Sequence, residues 1–321
     1  MTKPMATREG YGQALVELGR RNERVVVLDA DLSKSTQTVR FAREFPERFF
    51  NAGVAEANLI GMAAGLAASG FIPFASTFAI FATQRAYNQI FQSVAYPGLN
   101  VKIAASHGGI TVGEDGASHQ AIDDLALMRA LPGMTVLVPA DAHEAYQATL
   151  AAAEWEGPVY IRLGRPTVPL ITSPDKPFTI GRIQVLREGE DVTLAACGHM
   201  VKVALEAAEE LKRKGYGAAV LNVSTLKPLD RETLLHWASR TGAVVTVEEH
   251  SIIGGLGSAV AEVLSEECPV PLIRLGVRDT FGQSGKPHEL LHHYGLTAGN
   301  VVEAAEKIIK RKGGRNGQSD A

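Results

Sequence analysis

The sequence is poor in the features that mark several protein classes. It has two cysteines, Cys197 and Cys268, far apart and in no ligand spacing. They read as core thiols of a reducing compartment, with a disulfide between them left open. Aromatic residues make up 6% and the formal net charge is -3, so no basic stripe with interleaved rings offers a nucleic-acid surface. No apolar run reaches the ~20 residues of a membrane-spanning helix. The first residues, MTKPMATREGYGQ, lack the apolar stretch of a secretory signal. These absences point to a cytoplasmic protein with neither nucleic acid nor membrane as partner.

What is present is a globular composition, 45% hydrophobic and 21% charged, in 321 residues. That is enough for two α/β domains, each burying its own core. VVVLDAD, FIPFAST, NVKIAAS, MTVLVPA and PVYIRLG read as strands, separated by helical patterns such as ANLIGMAAGLAASG and HEAYQATLAAAEW. Continuous apolar strands alternating with helices imply a doubly wound, mostly parallel sheet covered on both faces. The proline-rich PTVPLITSPDKPFTIG then interrupts the alternation. It resumes with DVTLAAC, VALEAAEELKRKG, AAVLNVS, AVVTVEE and VVEAAEKIIKRK. The predicted organisation is a first domain over 1–167, a linker over 168–182, a smaller α/β domain over 183–312, and a frayed tail over 313–321. Lys310, Arg311 and Lys312 would close the last helix, where cations suit the dipole.

Ligands in parallel sheets bind beyond the carboxyl ends of the strands. In the first domain Asp29, Asp31, Ser76, Thr77, His107, Arg162 and Arg165 fall there. The segment ASHGGITVGEDGASHQ, Ala105 to Gln120, sets glycines, histidines and an acidic pair between a strand and a helix. Glycine permits close backbone approach to a ligand, and histidine exchanges protons near neutrality. A mobile surface loop would be the plainer interpretation.

VGEDGASHQAIDDLALMRALPGMTVLVPAD closely resembles the pyrimidine-binding domain of transketolases, as do FFNAGVAEANLIGMAAGLAASGFIPFASTFAIF and ATREGYGQAL. VSTLKPLD, TVEEHSIIGGLGSAVAE and DTFGQSGKPHELLHHYGLT resemble the transketolase C-terminal domain. The ordered resemblance spans nearly the whole chain. It implies a thiamine-diphosphate transferase that moves a two-carbon ketol unit from a ketose phosphate to an aldose phosphate.

By the same resemblance, Glu56 is the carboxyl that hydrogen-bonds the cofactor's aminopyrimidine ring and favours the tautomer acting as base. It should be buried, which favours its neutral form; otherwise it is a first-turn acid suiting a helix dipole. Phe78 and Phe81 match aromatics that pack on the pyrimidine, and Asp31 an aspartate near the cofactor and the subunit interface. Arg8, Ser35, His107 and Arg165 would bind the sugar phosphate, with Asp115 and His119 on hydroxyls near the reacting carbon. Ser35 could instead cap a helix starting at Ser35–Thr36. Three positions depart from many transketolases: Gln84 stands for a tyrosine, and Gly108 and Gly109 for bulkier polar residues. Arg85 and His199 read as structural.

Thiamine-diphosphate enzymes hold the diphosphate through Mg²⁺ with a GDG motif and a later asparagine. This sequence has GEDG from Gly113 to Gly116 but no GDG. The expectation is a partner subunit carrying the GDG motif, the diphosphate and the Mg²⁺ ligands, in an α2β2 assembly, with no metal ligand on this chain. HELLH, His288 to His292, formally matches the zincin pattern, but its context fits the C-terminal domain without metal. GGLGSA from Gly254 is an incomplete dinucleotide fingerprint, better read as a strand-to-helix turn. Two alternatives stay open. One is another thiamine-diphosphate enzyme, resembling deoxyxylulose-phosphate synthase or a 2-oxo-acid dehydrogenase β-subunit. The other is a non-catalytic scaffold built on this half.

Overall fold

The continuous apolar runs form strands, and the computed structural model describes residues 3–316. The first half contains β1 (Met5–Ala6), β2 (Val25–Asp29), β3 (Phe49–Asn51), β4 (Ile72–Phe78), β5 (Lys102–Ser106), β6 (Thr135–Leu137), β7 (Val159–Arg162) and β8 (Thr167–Val168). The second contains β9 (Gln184–Arg187), β10 (Val192–Ala196), β11 (Ala218–Asn222), β12 (Thr225–Lys227), β13 (Val244–Ser251) and β14 (Leu272–Val277). Two main sheets result, in the orders β12-β6-β7-β5-β4-β2-β3 and β14-β13-β10-β11-β9. Pairing is parallel except for β12 on β6 and β9 on β11. The doubly wound α/β expectation therefore holds for both halves.

Strand periodicity explains why both faces of the first sheet are covered. Val25 and Val27 join Tyr11, Leu15, Phe74 and Ala145 on one face. Val26 and Leu28 join Leu59, Ile60, Ala75 and Ile103 on the other. Successive side chains of a strand point to opposite faces, so a strand buried on both sides must be apolar throughout. Register aligns the carboxyl ends, with Asp29 opposite Ser76, Phe78 opposite Ser106 and Ala105 opposite Arg162. The candidate residues are thus gathered along one edge of one sheet.

Three features depart from the sequence-based expectation. The second half lends β12 to the first sheet, and Lys227 Nζ reaches the carbonyls of Arg129 (2.9 Å) and Leu131 (2.5 Å). The interdomain segment is bound down rather than loose. β8 pairs with β1, Asp141 accepts from the Ile171 and Thr172 amides, and Phe178 and Ile180 pack on the first domain's core. The closing helix, Ala298–Asn316, runs past Lys312 into the segment read as a tail; residues 317–321 of that tail lie outside the described residues. Cys197 is buried, Cys268 is partly so, and both are free thiols. Among the described residues no helix is long and apolar enough to cross a membrane.

Candidate active site

Glu56 is the first residue of the helix Glu56–Ala68 and is 5% exposed. Its position in the first turn suits the dipole, as expected, but it is not unpartnered. Arg85 Nη1 donates to Glu56 Oε1 at 2.8 Å. The same guanidinium lies 4.2 Å from the centroid of the Phe81 ring. Arg85 ends the helix Ala79–Arg85, four residues after Phe81. Residues at that spacing share a helix face, so the contact with Phe81 was readable from sequence. Arg85, read as structural, makes its contacts within the chain, on Glu56 and Phe81.

Phe78, at the end of β4, and Phe81 stack with centroids 5.6 Å apart and planes 15° apart. His107 stacks on Phe78 at 3.8 Å, and His119 meets Phe81 edge-on at 5.3 Å. Five of the predicted residues, Glu56, Phe78, Phe81, His107 and His119, therefore belong to one contact cluster, with Glu56 joined to it through Arg85. His107 has φ +59° and Nδ1 2.9 Å from Ser106 Oγ. A positive φ is uncommon outside glycine, and this turn aims the ring back over β4.

The charged groups acting on His107 are all cationic. Burial, then the charges of Arg8, Arg165 and His119, pushes its pKa down to about 3. Arg8 is lowered by burial and by Arg165, with Glu9 opposing, and its buried Nε has no partner. Groups that disfavour one another's charge are relieved together by one bound dianion. Arg165 is held by the Val112 carbonyl and lies 3.4 Å from Glu114 Oε2 and 3.7 Å from Asp115 Oδ2. This brings Arg165 and Asp115 together across the loop.

The same burial predicts a pH dependence. Folded His107 stays neutral down to about pH 3, whereas its ordinary pKa is 6.5. The unfolded chain takes up that proton first, so acidification below 6.5 costs stability, at most about 1.4 kcal/mol per pH unit. His107→Gln should therefore flatten the stability–pH curve between pH 6.5 and about 4. Urea denaturation at several pH values measures this. Parallel curves for the two proteins would show that His107 is not the source.

Ser35 and Asp31 lie apart from the aromatic cluster. Ser35 lies inside the helix Ser33–Thr36, so it is no cap, and its backbone carbonyl, 2.8 Å from Arg8 Nη1, is what orients that arginine. Asp31 has φ +64° and exchanges hydrogen bonds with Asn51, Nδ2 to Oδ1 at 3.0 Å. It is exposed.

Arg162, only three residues before Arg165, is no ligand candidate. It is 5% exposed, with Nε donating to Asp124 Oδ2 at 2.8 Å and Nη2 to the carbonyls of Ala121 (3.0 Å) and Glu249 (3.2 Å). Burial alone would lower its pKa; Asp124 and Glu249 more than offset this. This pair explains the two glycine departures. A Cβ on Gly108 would lie 2.6 Å from Arg162 Nε, and one on Gly109, at φ +83°, 2.4 Å from Glu249 Oε2. Gln84 Nε2 donates to Asp123 Oδ2 at 2.5 Å, so its polarity is used within the chain.

The two decoys dissolve. His288 and His292 are exposed on the helix Pro287–His293, and Glu289 accepts from the Lys286 amide as its cap. After Gly254 and Gly255, the helix Leu256–Glu267 donates its first amides to buried Glu248 at 2.7 and 2.8 Å. No vacancy for a phosphate remains there. His199 faces Glu249, Nδ1 to Oε1 3.4 Å, both buried.

Comparison with known proteins agrees with this geometry. The profile of the transketolase pyrimidine binding domain matches residues 3–170, and that of the transketolase C-terminal domain matches 181–301. The chain belongs to the transketolase family. It is 51% identical to a putative transketolase C-terminal section of Methanocaldococcus jannaschii, over 95% of this chain and 96% of that one. It is 50% identical to a 6-deoxy-6-sulfo-D-fructose transketolase subunit of a Clostridium species, over 95% of each. A solved structure described as a split-gene transketolase, inactive β4 tetramer, superposes with a TM-score of 0.91 at 60% identity, covering 96% of this chain and 99% of that one. Transketolase-family enzymes are thiamine diphosphate-dependent transferases.

Proposed function

We propose that this chain is the pyrimidine-binding subunit of a two-chain transketolase, transferring a two-carbon ketol unit from a ketose phosphate to an aldose phosphate. The observation that carries this reading is the side-chain cluster around Phe78. A buried carboxyl and stacked phenylalanines adjoin a cluster of cations at the carboxyl ends of β4, β5 and β7. Thiamine diphosphate supplies an acidic thiazolium carbon able to cleave and re-form the bond beside a ketone carbon.

The residues divide the remaining work. Glu56 would hold a proton at its carboxyl oxygen and present it to the aminopyrimidine ring. Phe78 and Phe81 would give that ring a flat apolar seat. Arg8, His107 and Arg165 would take the substrate's phosphate, which fixes the distance from phosphate to reacting carbon. Asp115 and His119, on the loop between the two groups, would take hydroxyls. The diphosphate and Mg²⁺ would be held by a separate subunit in an α2β2 assembly in the cytoplasm. Relatives of nearly equal length described as a C-terminal section and as a subunit support the split.

The test is reconstitution. The chain should be inactive alone and should convert xylulose 5-phosphate plus ribose 5-phosphate when mixed with a diphosphate-binding subunit. Full activity without partner would overturn the reading. Two further substrate sets have specific motives. A 1-deoxy-D-xylulose-5-phosphate synthase of Geobacter sulfurreducens is 40% identical over 94% of this chain, which motivates pyruvate plus glyceraldehyde 3-phosphate. The sulfo-sugar relative motivates 6-deoxy-6-sulfo-D-fructose, whose anion the same cations could bind. In the preferred assay Arg165→Met should raise KM for the phosphorylated sugar by about 10–100-fold. An unchanged KM would remove Arg165 from the phosphate site.

A further inference from the structure

All the residues given work in the proposed site come from the first domain, yet a carboxylate of the second domain lies against the loop that carries Asp115. Glu249, on β13, is 4% exposed. Its Oε2 accepts from the Thr111 amide at 3.1 Å and from the Thr111 hydroxyl at 2.7 Å. Thr111 belongs to the tight turn Ile110–Asp115, and the next residue, Val112, gives its carbonyl to Arg165. The other oxygen, Oε1, faces His199 Nδ1 at 3.4 Å. The His199 ring lies so close to Gly164 that a Cβ there would overlap it, and Gly164 directly precedes Arg165. One buried carboxylate thus bears on both segments that place Arg165.

A domain junction needs no carboxylate to close it. Apolar side chains seal such a surface without the desolvation that a buried charge carries. They cannot fix a turn whose buried amide and hydroxyl both call for an acceptor. We propose that Glu249 is a positioning residue: through Thr111 and His199 it sets the Val112 carbonyl and Gly164, and so aims the Arg165 guanidinium at the substrate phosphate. This rests on the function proposed above, in which Arg165 binds that phosphate. Other ties between the turn and the second domain act elsewhere. Gln120 Nε2 joins the Ile110 carbonyl (3.1 Å) to that of Gln283 (3.0 Å), and Gly113 packs against Pro287. Among the described hydrogen bonds, only those from Glu249 hold the residue beside Val112. The junction itself does not depend on this side chain, because Arg162 Nη2 donates to the backbone carbonyl of Glu249, which any residue retains.

The experiment uses the reconstituted two-subunit enzyme and compares Glu249→Ala, Glu249→Gln and Thr111→Val with wild type. Each is assayed with xylulose 5-phosphate and with xylulose, ribose 5-phosphate being saturating in both. A binding group misplaced by about 1 Å can cost about 10²-fold, so Glu249→Ala should raise KM for the phosphorylated ketose about 10–100-fold. KM for xylulose, which offers Arg165 no phosphate, should change by less than about threefold. Glu249→Gln keeps an acceptor for Thr111 and should stay within about threefold of wild type with both ketoses. Thr111→Val, which lacks only the hydroxyl bond, should raise KM for the phosphorylated ketose about 3–10-fold. In an Arg165→Met background Glu249→Ala should add less than about twofold, because its effect passes through Arg165. Hydrogen exchange gives a readout free of activity: the Thr111 amide should exchange at least about tenfold faster in Glu249→Ala. A merely structural role would raise KM for both ketoses alike and would add in full to Arg165→Met. That pattern, or an unchanged KM in Glu249→Ala, overturns the proposal and leaves the function reading intact. Should Glu249→Ala fail to assemble, Thr111→Val decides on the same readings. If wild type transfers no ketol unit, the function reading fails and this role for Glu249 falls with it.

Discussion

Glu56→Gln is expected to lower the kcat of the reconstituted enzyme by roughly 10²–10⁴-fold, the range of a lost acid–base contribution. Glutamine has nearly the same volume, so the helix start that holds Glu56 keeps its packing. Its amide can still donate a hydrogen bond to a ring nitrogen, but it cannot give up that proton. The lost ion pair to half-exposed Arg85 is worth at most about 1 kcal/mol, so folding and assembly should survive. KM should change little, because in the proposed site the substrate phosphate would be met by Arg8, His107 and Arg165 rather than by Glu56. Steady-state kinetics on the mixed subunits decides the matter. A variant retaining kcat within about threefold of wild type would show that Glu56 does not activate the cofactor.

The largest effect on stability belongs to Arg162→Met. The guanidinium is the only described positive partner of Asp124, which is fully buried. Methionine would leave that carboxylate with the Tyr160 hydroxyl at 2.8 Å and would strip the carbonyls of Ala121 and Glu249 of a donor. An uncompensated buried charge of this kind costs about 3–5 kcal/mol. The damage should be greatest at the junction of the halves, because Ala121 belongs to the first and Glu249 to the second. Lower cooperativity in urea unfolding should therefore accompany the lower midpoint. A melting temperature within about 2 °C of wild type would contradict the account. Burial makes the neighbouring groups resist charge too: it lowers His250 to about 4 and raises Glu248 to about 7. No ready proton or cation is at hand to replace the arginine.

Much of this protein was legible in its sequence for a definite reason. Apolar runs report which strands are buried on both faces, and parallel sheets place function at their carboxyl ends, so His107 and Arg165 could be nominated without coordinates, whereas Phe78 came from the family resemblance. Short edge strands carry little periodic signal, and β3, β9 and β12 were missed. β12 also pairs across the domain boundary, which no local pattern encodes.

A buried Glu56 and aromatic residues near it were expected from the resemblance. The sequence by itself determined which chemistry was available there, because residue types and strand ends are local properties. Only the tertiary structure decided how it is used. Arg162 and Arg165 are three residues apart, yet one is locked inside on Asp124 and the other is held by the Val112 carbonyl beside Glu114 and Asp115. Gly108 and Gly109 are glycines because Arg162 and Glu249 fill the space beside them. Arg85 reached Glu56 across 29 residues of chain. Distance, burial and charge balance arise from packing many segments together, and no single segment contains them.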